Sequence, residues 1–136
     1  MDFKKFAPRV DSTKTEKTGE RNTDYSLWHR QLSPQFFAID IDFVEYREDR
    51  GIVAVLAVTG RCKDEKHIVN SKKYIWKRTK LERKILVEFS EKLTIPAYFV
   101  IHDDSLSIFH VHNLNKELTK FTKMNEKEYA EFIKAL

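Results

Sequence analysis

The chain has 136 residues, 41% hydrophobic and 34% charged, with a net charge of +4 and one cysteine, Cys62. Its length and apolar content suffice for one domain with its own core, and one cysteine excludes an internal disulfide and a cysteine-only zinc site and points to a reducing, intracellular compartment. No apolar run approaches the ~18 residues of a membrane span, and the N-terminus has no signal-peptide core, so no membrane partner is expected.

Residues 1–20 read as a flexible arm, because 11–19 contain no apolar side chain. Residues 21–136 read as one domain. A short helix is predicted from Asp24 to Leu32, with Tyr25, Trp28, His29 and Leu32 on one face and Ser33-Pro34 ending it. A hairpin follows, with strands near 36–46 and 51–60 and the charged turn Arg47-Glu48-Asp49-Arg50-Gly51 between them. The first strand carries Asp40 and Asp42 at period 2, hence on one face. The second is apolar on both faces, as a central strand would be. Its residues Val53, Val55, Ala57, Thr59 and Arg61 share a face.

Arg61 to Ser71 reads as a loop, and Lys72 to Leu93 as one long helix with Tyr74, Leu81, Ile85, Phe89 and Leu93 inward. A strand over 95–101, a turn at His102–Ser105, a strand over 106–112 and a helix from Asn125 to Leu136 complete the chain. The class is α/β with a mixed sheet.

Charge is unevenly placed. Arg61 to Lys84 holds ten Lys/Arg against three Asp/Glu, a net of +7, which leaves about −3 elsewhere. Lys72, Lys73, Lys77, Lys80 and Lys84 put a basic stripe on the long helix, with Trp76 beside it. Such a stripe is either a solvated face or a phosphate-binding one, and its place after the hairpin favours nucleic acid. Trp76 is either a half-buried core residue or a stacking surface for a base. His110 and His112 share a strand face, as a structural pair or a pair of metal ligands.

The order of these motifs resembles the PD-(D/E)XK nuclease superfamily, whose core is αβββαβ, the restriction-endonuclease-like fold. Its signature is an Asp on one hairpin strand, then an acid, a spacer and a Lys on the next. Asp42, Ala57 and Thr59 occupy those positions. Arg21, Tyr25, Ser26, Trp28, His29, Arg30 and Leu32 before the hairpin, with Ile95-Pro96-Ala97-Tyr98-Phe99-Val100 and Glu128-Tyr129-Ala130-Glu131-Phe132 after it, are similar to small phage or archaeal-virus members. The resemblance covers residues 20–136. It implies a metal-dependent DNA endonuclease acting by phosphodiester hydrolysis, with Mg²⁺ or Mn²⁺ on Asp42 and the acid of position 57. It also implies DNA as partner, the host cytoplasm if the protein is viral, and a homodimer as one expected assembly.

Two signature positions depart from that pattern. Ala57 replaces the expected Glu or Asp, and Thr59 the expected Lys. An alanine offers no oxygen to a cation, so metal binding is expected to be weak or lost. Either the chain is an inactivated nuclease, or it is a non-catalytic nucleic-acid-binding protein on a degenerate nuclease fold. Arg61, or Lys73 or Lys77, is positioned either to replace the missing lysine or to serve as a phosphate-binding or solvated cation. In the resembled fold the first helix often supplies an acid, for which Glu20 or Asp24 is the candidate, with His29 as a water- or phosphate-binding group.

Overall fold

The computed structural model describes residues 23–136. The expected arm, residues 1–20, and Glu20 with it, lie outside the described residues. The chain divides into two compact units between Ile39 and Asp40.

In the first unit, α1 spans Thr23–Arg30, with Asp24 in its first turn and His29 and Arg30 in its last. Those charges complement the helix dipole. The Tyr25 ring lies 5.6 Å from Trp28 and 6.1 Å from His29 between centroids. The helix stops two residues before Leu32, because the amides of Gln31 and Leu32 bond three residues back, to Trp28 and His29, and so tighten the last turn.

The second unit is a mixed α/β fold. Its elements are β1 (Phe43–Arg47), β2 (Gly51–Cys62), α2 (Glu65–Arg78), α3 (Lys80–Leu93), β3 (Ala97–Asp103), β4 (Ile108–Asn113), β5 (Thr122–Asn125) and α4 (Glu126–Lys134). The five strands form one sheet in the order β1-β2-β3-β4-β5. β2 and β3 are parallel, and the other pairs are antiparallel.

The β1–β2 hairpin forms as expected, and Gly51 takes the left-handed φ of 78° that its turn requires. β2 is central. Ala54, Val55, Leu56 and Ala57 are no more than 2% exposed. Alternate residues of β2 feed two cores. Val55 and Ala57 pack with Phe99 and Ile101 and with Ile68, Ile75 and Leu86 from α2 and α3. Ala54 and Leu56 pack with Val100, Phe109 and Val111, under Tyr129, Phe132 and Ile133 of α4. The rings of Phe109 and Tyr129 stack at 4.0 Å. Burial, with Glu45 nearby, pushes the Tyr129 hydroxyl up to about 12.

Several expected boundaries move. The first hairpin strand begins at Phe43 and not near 36, so Asp40 and Asp42 precede it. The expected loop over 61–71 is largely helix. Asp64 caps α2 by accepting a hydrogen bond from the His67 amide, 2.9 Å away. The expected long helix is two helices, broken at Thr79. There the Thr79 hydroxyl donates to the Ile75 carbonyl at 2.8 Å, and Arg83 Nη2 donates to the Trp76 carbonyl at 2.6 Å. These bonds satisfy the terminal carbonyls of α2 and stabilise the break. β5 had no counterpart in the periodicity, because Thr122–Asn125 carries one half-buried apolar residue, Met124. The last helix starts as expected, behind a capping box of Asn125 and Glu128.

A shift in register between Thr59 and Cys62 changes what the second strand presents. Strict alternation would turn Arg61 to the Ala57 face. The irregularity turns Cys62 inward instead, 2% exposed in the Ala57 core, and leaves Arg61 exposed. Burial, with Asp104 and Asp64 nearby, raises the Cys62 thiol above its ordinary range.

Candidate nucleic-acid interface and carboxylate site

Asp42 lies one residue before Phe43, which pairs with Leu56, and its Oδ2 accepts a hydrogen bond from the Val58 amide at 2.9 Å. That bond anchors the carboxylate beside Ala57. A second acid faces it from α3. Glu82 sits one helical turn before Leu86, which packs in the same core as Ala57. Burial raises the Glu82 carboxyl above its ordinary range. The Asp42 charge adds to the rise and Arg78 opposes it. The hairpin thus contributes Asp42 beside Ala57, and α3 contributes Glu82 within reach of the Asp42 charge.

The sequence reading missed Glu82. Extending the inward stripe of Phe89 and Leu86 back by one turn reaches it, and an acid on an apolar stripe was the available signal. Its weakened acidity has a consequence for stability. The folded chain holds that proton more tightly than the unfolded one, so Glu82 favours folding at low pH and opposes it as pH rises through the raised value. Glu82→Gln is therefore expected to raise the urea midpoint at neutral pH and to leave it unchanged in acid. An unchanged midpoint at both pH values would mean that the folded chain does not bury Glu82 beside the Asp42 charge.

The cations separate into three groups. Lys80, Arg83 and Lys84 of α3, with Lys116 from the connection between β4 and β5, line a groove of about 510 Å³ floored by Trp76, Val87, His112 and Leu114. Glu117 is the one acid in its wall. Arg83 is fixed there. Its guanidinium lies 3.5 Å over the Trp76 ring, its Nη2 bonds the Trp76 carbonyl and its Nε bonds the Thr79 hydroxyl at 3.3 Å. Lys73 and Lys77 are exposed on α2. Lys72, expected on the phosphate-binding stripe, is half-buried, with its Nζ 2.7 Å from His110 Nδ1.

Trp76 also meets Phe99, His112 and Phe121 edge-on, at 5.6, 5.4 and 5.8 Å. One ring face carries Arg83 and the edges are packed, so its role is to hold the guanidinium rather than to stack on a base. His112 is buried, with its Nδ1 3.1 Å from the Lys120 carbonyl oxygen. Burial lowers its pKa below the ordinary range, opposed by that backbone contact and assisted by Arg83.

In comparisons with protein-family models, with curated proteins and with solved structures, nothing matches the chain. The site's own geometry therefore carries the functional reading.

Among the described residues, no three His, Cys, Asp or Glu side chains are placed to hold a metal ion. His110 bonds Lys72 and His112 packs on Trp76, so the two rings have different partners. Thr59 is half-buried on β2 opposite Ile101, and its hydroxyl brings no positive charge. His29 belongs to the first unit and is described there. Among the described residues, no helix is long and apolar enough to cross a membrane.

Proposed function

We propose that this chain binds DNA, with the phosphate backbone held in the groove between α3 and the β4–β5 connection. One observation carries the reading: Lys80, Arg83, Lys84 and Lys116 converge there against the single acid Glu117. Each phosphate neutralised by such a cation releases counterions, so affinity should fall steeply with salt. The Arg83 charge is held in place before any ligand arrives, which reduces the ordering cost of binding. The order of hairpin, helical crossover and parallel strand supports a nuclease-like core. The strand that would precede β1 in that core is not among the described strands. Fluorescence anisotropy with labelled DNA tests the proposal. A slope of about −3.6 in log affinity against log salt is expected if four cations engage B-form DNA. No binding at low salt, or a flat salt dependence, would sink it.

A second reading is favoured by Asp42, held beside position 57 by the Val58 amide, with Glu82 of α3 within reach of its charge. It makes the chain a metal-dependent DNA endonuclease whose centre is incomplete. As the chain stands, the donors do not fit Mg²⁺ or Mn²⁺, because Ala57 brings no oxygen and two carboxylates remain. Ala57→Glu would supply a third. Without metal, that variant is expected to melt lower than the parent, since a charge would enter a position 2% exposed and beside Asp42. Added Mg²⁺ or Mn²⁺ is expected to raise its melting temperature selectively and to allow cleavage of plasmid or single-stranded DNA. A variant that neither responds to the cation nor cuts DNA would leave the non-catalytic reading alone.

A further inference from the structure

Away from the groove, α2, β4 and β5 bring four titratable side chains together. His110 of β4 is 6% exposed. Lys72 Nζ lies 2.7 Å from its Nδ1, and Glu65 Oε1 lies 4.0 Å from its Nε2. Nε2 is buried and has no hydrogen-bond partner. Lys123 Nζ is 2.7 Å from the same Glu65 oxygen. Lys72 Nζ also sits 4.5 Å over the Phe121 ring.

The roles follow from donor chemistry. An ammonium can only donate, so His110 Nδ1 accepts from Lys72 and the proton of the neutral imidazole is on Nε2. Nε2 then points its hydrogen toward Glu65. The amine and the carboxylate thus lie on opposite ring nitrogens, the amine hydrogen-bonded and the carboxylate 4.0 Å away, the order of nucleophile, proton acceptor and acid found in activated sites. The two lysines differ. Lys123 is exposed and held against a carboxylate. Lys72 is half-buried beside an aromatic face and a neutral ring.

We infer that Lys72 is an activated amine nucleophile, with His110 its proton acceptor, and that it forms an imine with an aldehyde. Lys72 passes one proton to His110 Nδ1, and the free amine attacks the carbonyl carbon. The new C–N bond pushes the carbonyl electron pair onto oxygen, which takes up the proton. A second proton passes from the nitrogen to that oxygen, which leaves as water as the nitrogen lone pair forms the C=N bond, so ammonium plus aldehyde becomes protonated imine plus water with no change of oxidation state. Burial lowers the Lys72 ammonium below its ordinary range, opposed by Glu65. Burial also lowers His110, helped by Lys72 and Lys123 and opposed by Glu65. Both directions favour a neutral ring beside an amine that gives up its proton readily.

The aldehyde could be a small free molecule or the open-chain sugar of an abasic site in DNA. The second source rests on the DNA-binding reading. Borohydride reduction of the imine, followed by peptide mass spectrometry, tests the inference with the full chain in two arms, glyceraldehyde and an abasic oligonucleotide. At neutral pH, Lys72 is expected to trap glyceraldehyde about tenfold faster than the exposed lysines. Lys72→Arg should abolish that adduct. Faster trapping from the oligonucleotide, lost when groove cations are reversed, assigns the DNA aldehyde. Equal trapping in both arms assigns free aldehydes. The glyceraldehyde arm does not use the groove, so it stands even if DNA binding fails.

Two further variants separate chemistry from packing. His110→Gln should move the rise of trapping to higher pH, because the proton acceptor is gone. Glu65→Gln, at an only part-buried side chain, should move it to lower pH, because the Glu65 charge favours the ammonium. Adducts spread evenly over the exposed lysines, or a pH profile that Glu65→Gln does not move, would overturn the inference.

Discussion

Replacing Asp103 with alanine should cost the fold about 3 kcal/mol, the largest single loss expected outside the apolar core. Asp103 ends β3, is 4% exposed, and holds the turn into β4. Its Oδ1 accepts from the Ser107 and Ile108 amides at 2.8 and 3.1 Å. Its Oδ2 accepts from the Ser105 and Ser107 hydroxyls at 3.0 and 2.7 Å. The turn also keeps Leu106 at a φ of 58°, which a non-glycine residue adopts only when its surroundings impose it. Removing the carboxylate leaves buried amides without acceptors and releases that strained residue.

The pH dependence has a definite sign. Burial alone would raise this acid. The hydrogen bonds from Ser107, Ile108 and Ser105 outweigh it and hold the carboxyl at about 2, against an ordinary 3.8. A depressed value stabilises the fold above the unfolded value and stops doing so as pH falls through the folded one. The drop from 3.8 to about 2 corresponds to about 2 kcal/mol, lost on acidification between those values. Urea melts across that range check it. Asp103→Asn should flatten the acid limb while keeping part of the turn. An Asn variant with the parent's slope would refute the assignment. The consequence reaches the proposed chemistry, since this turn sets the register that places His110 and His112 on the α2 side of the sheet.

Reversing two groove charges should produce the largest functional effect. Lys84→Glu with Lys116→Glu is expected to weaken DNA binding by about a hundredfold at moderate salt and to reduce the salt slope by about two. Both side chains are exposed, so melting temperature should stay within a degree or two of the parent. Lys127→Glu with Lys134→Glu is the control. It changes net charge equally on α4, which covers the opposite sheet face through Tyr129, Phe132 and Ile133. Equal losses in the two double variants would mean that net charge, and not the groove, attracts DNA. A selective loss locates the interface.

The two lysine pairs were not equally visible beforehand. Lys84 belonged to a stripe that spacing alone could trace. Lys116 joins it only because the β4–β5 connection folds back toward α3. The same contrast runs through the carboxylates. Asp42 stood out from its hairpin position, whereas Glu82 became its neighbour only when α3 packed across β2.

By itself the sequence determined what depends on near neighbours. The apolar run Ile52 to Val58 required a central strand, because neither face could be left to water. Gly51 required the hairpin turn, and Asn125 with Glu128 marked where the last helix starts. The concentration of positive charge between Arg61 and Lys84 was also legible. Tertiary structure decided the rest. A register shift beyond Thr59 sent Cys62 in and Arg61 out, and no local periodicity carries such a shift, since pairing with β3 sets it. Thr79 broke one expected helix into two, with Arg83 bonding back to Trp76 across the break. Lys72 left the basic stripe for His110, 38 residues away in sequence. Spacing records which side chains share a face. Only packing of α2 and α3 against the sheet determines what that face meets, and therefore which charges stay in water and which become reactive.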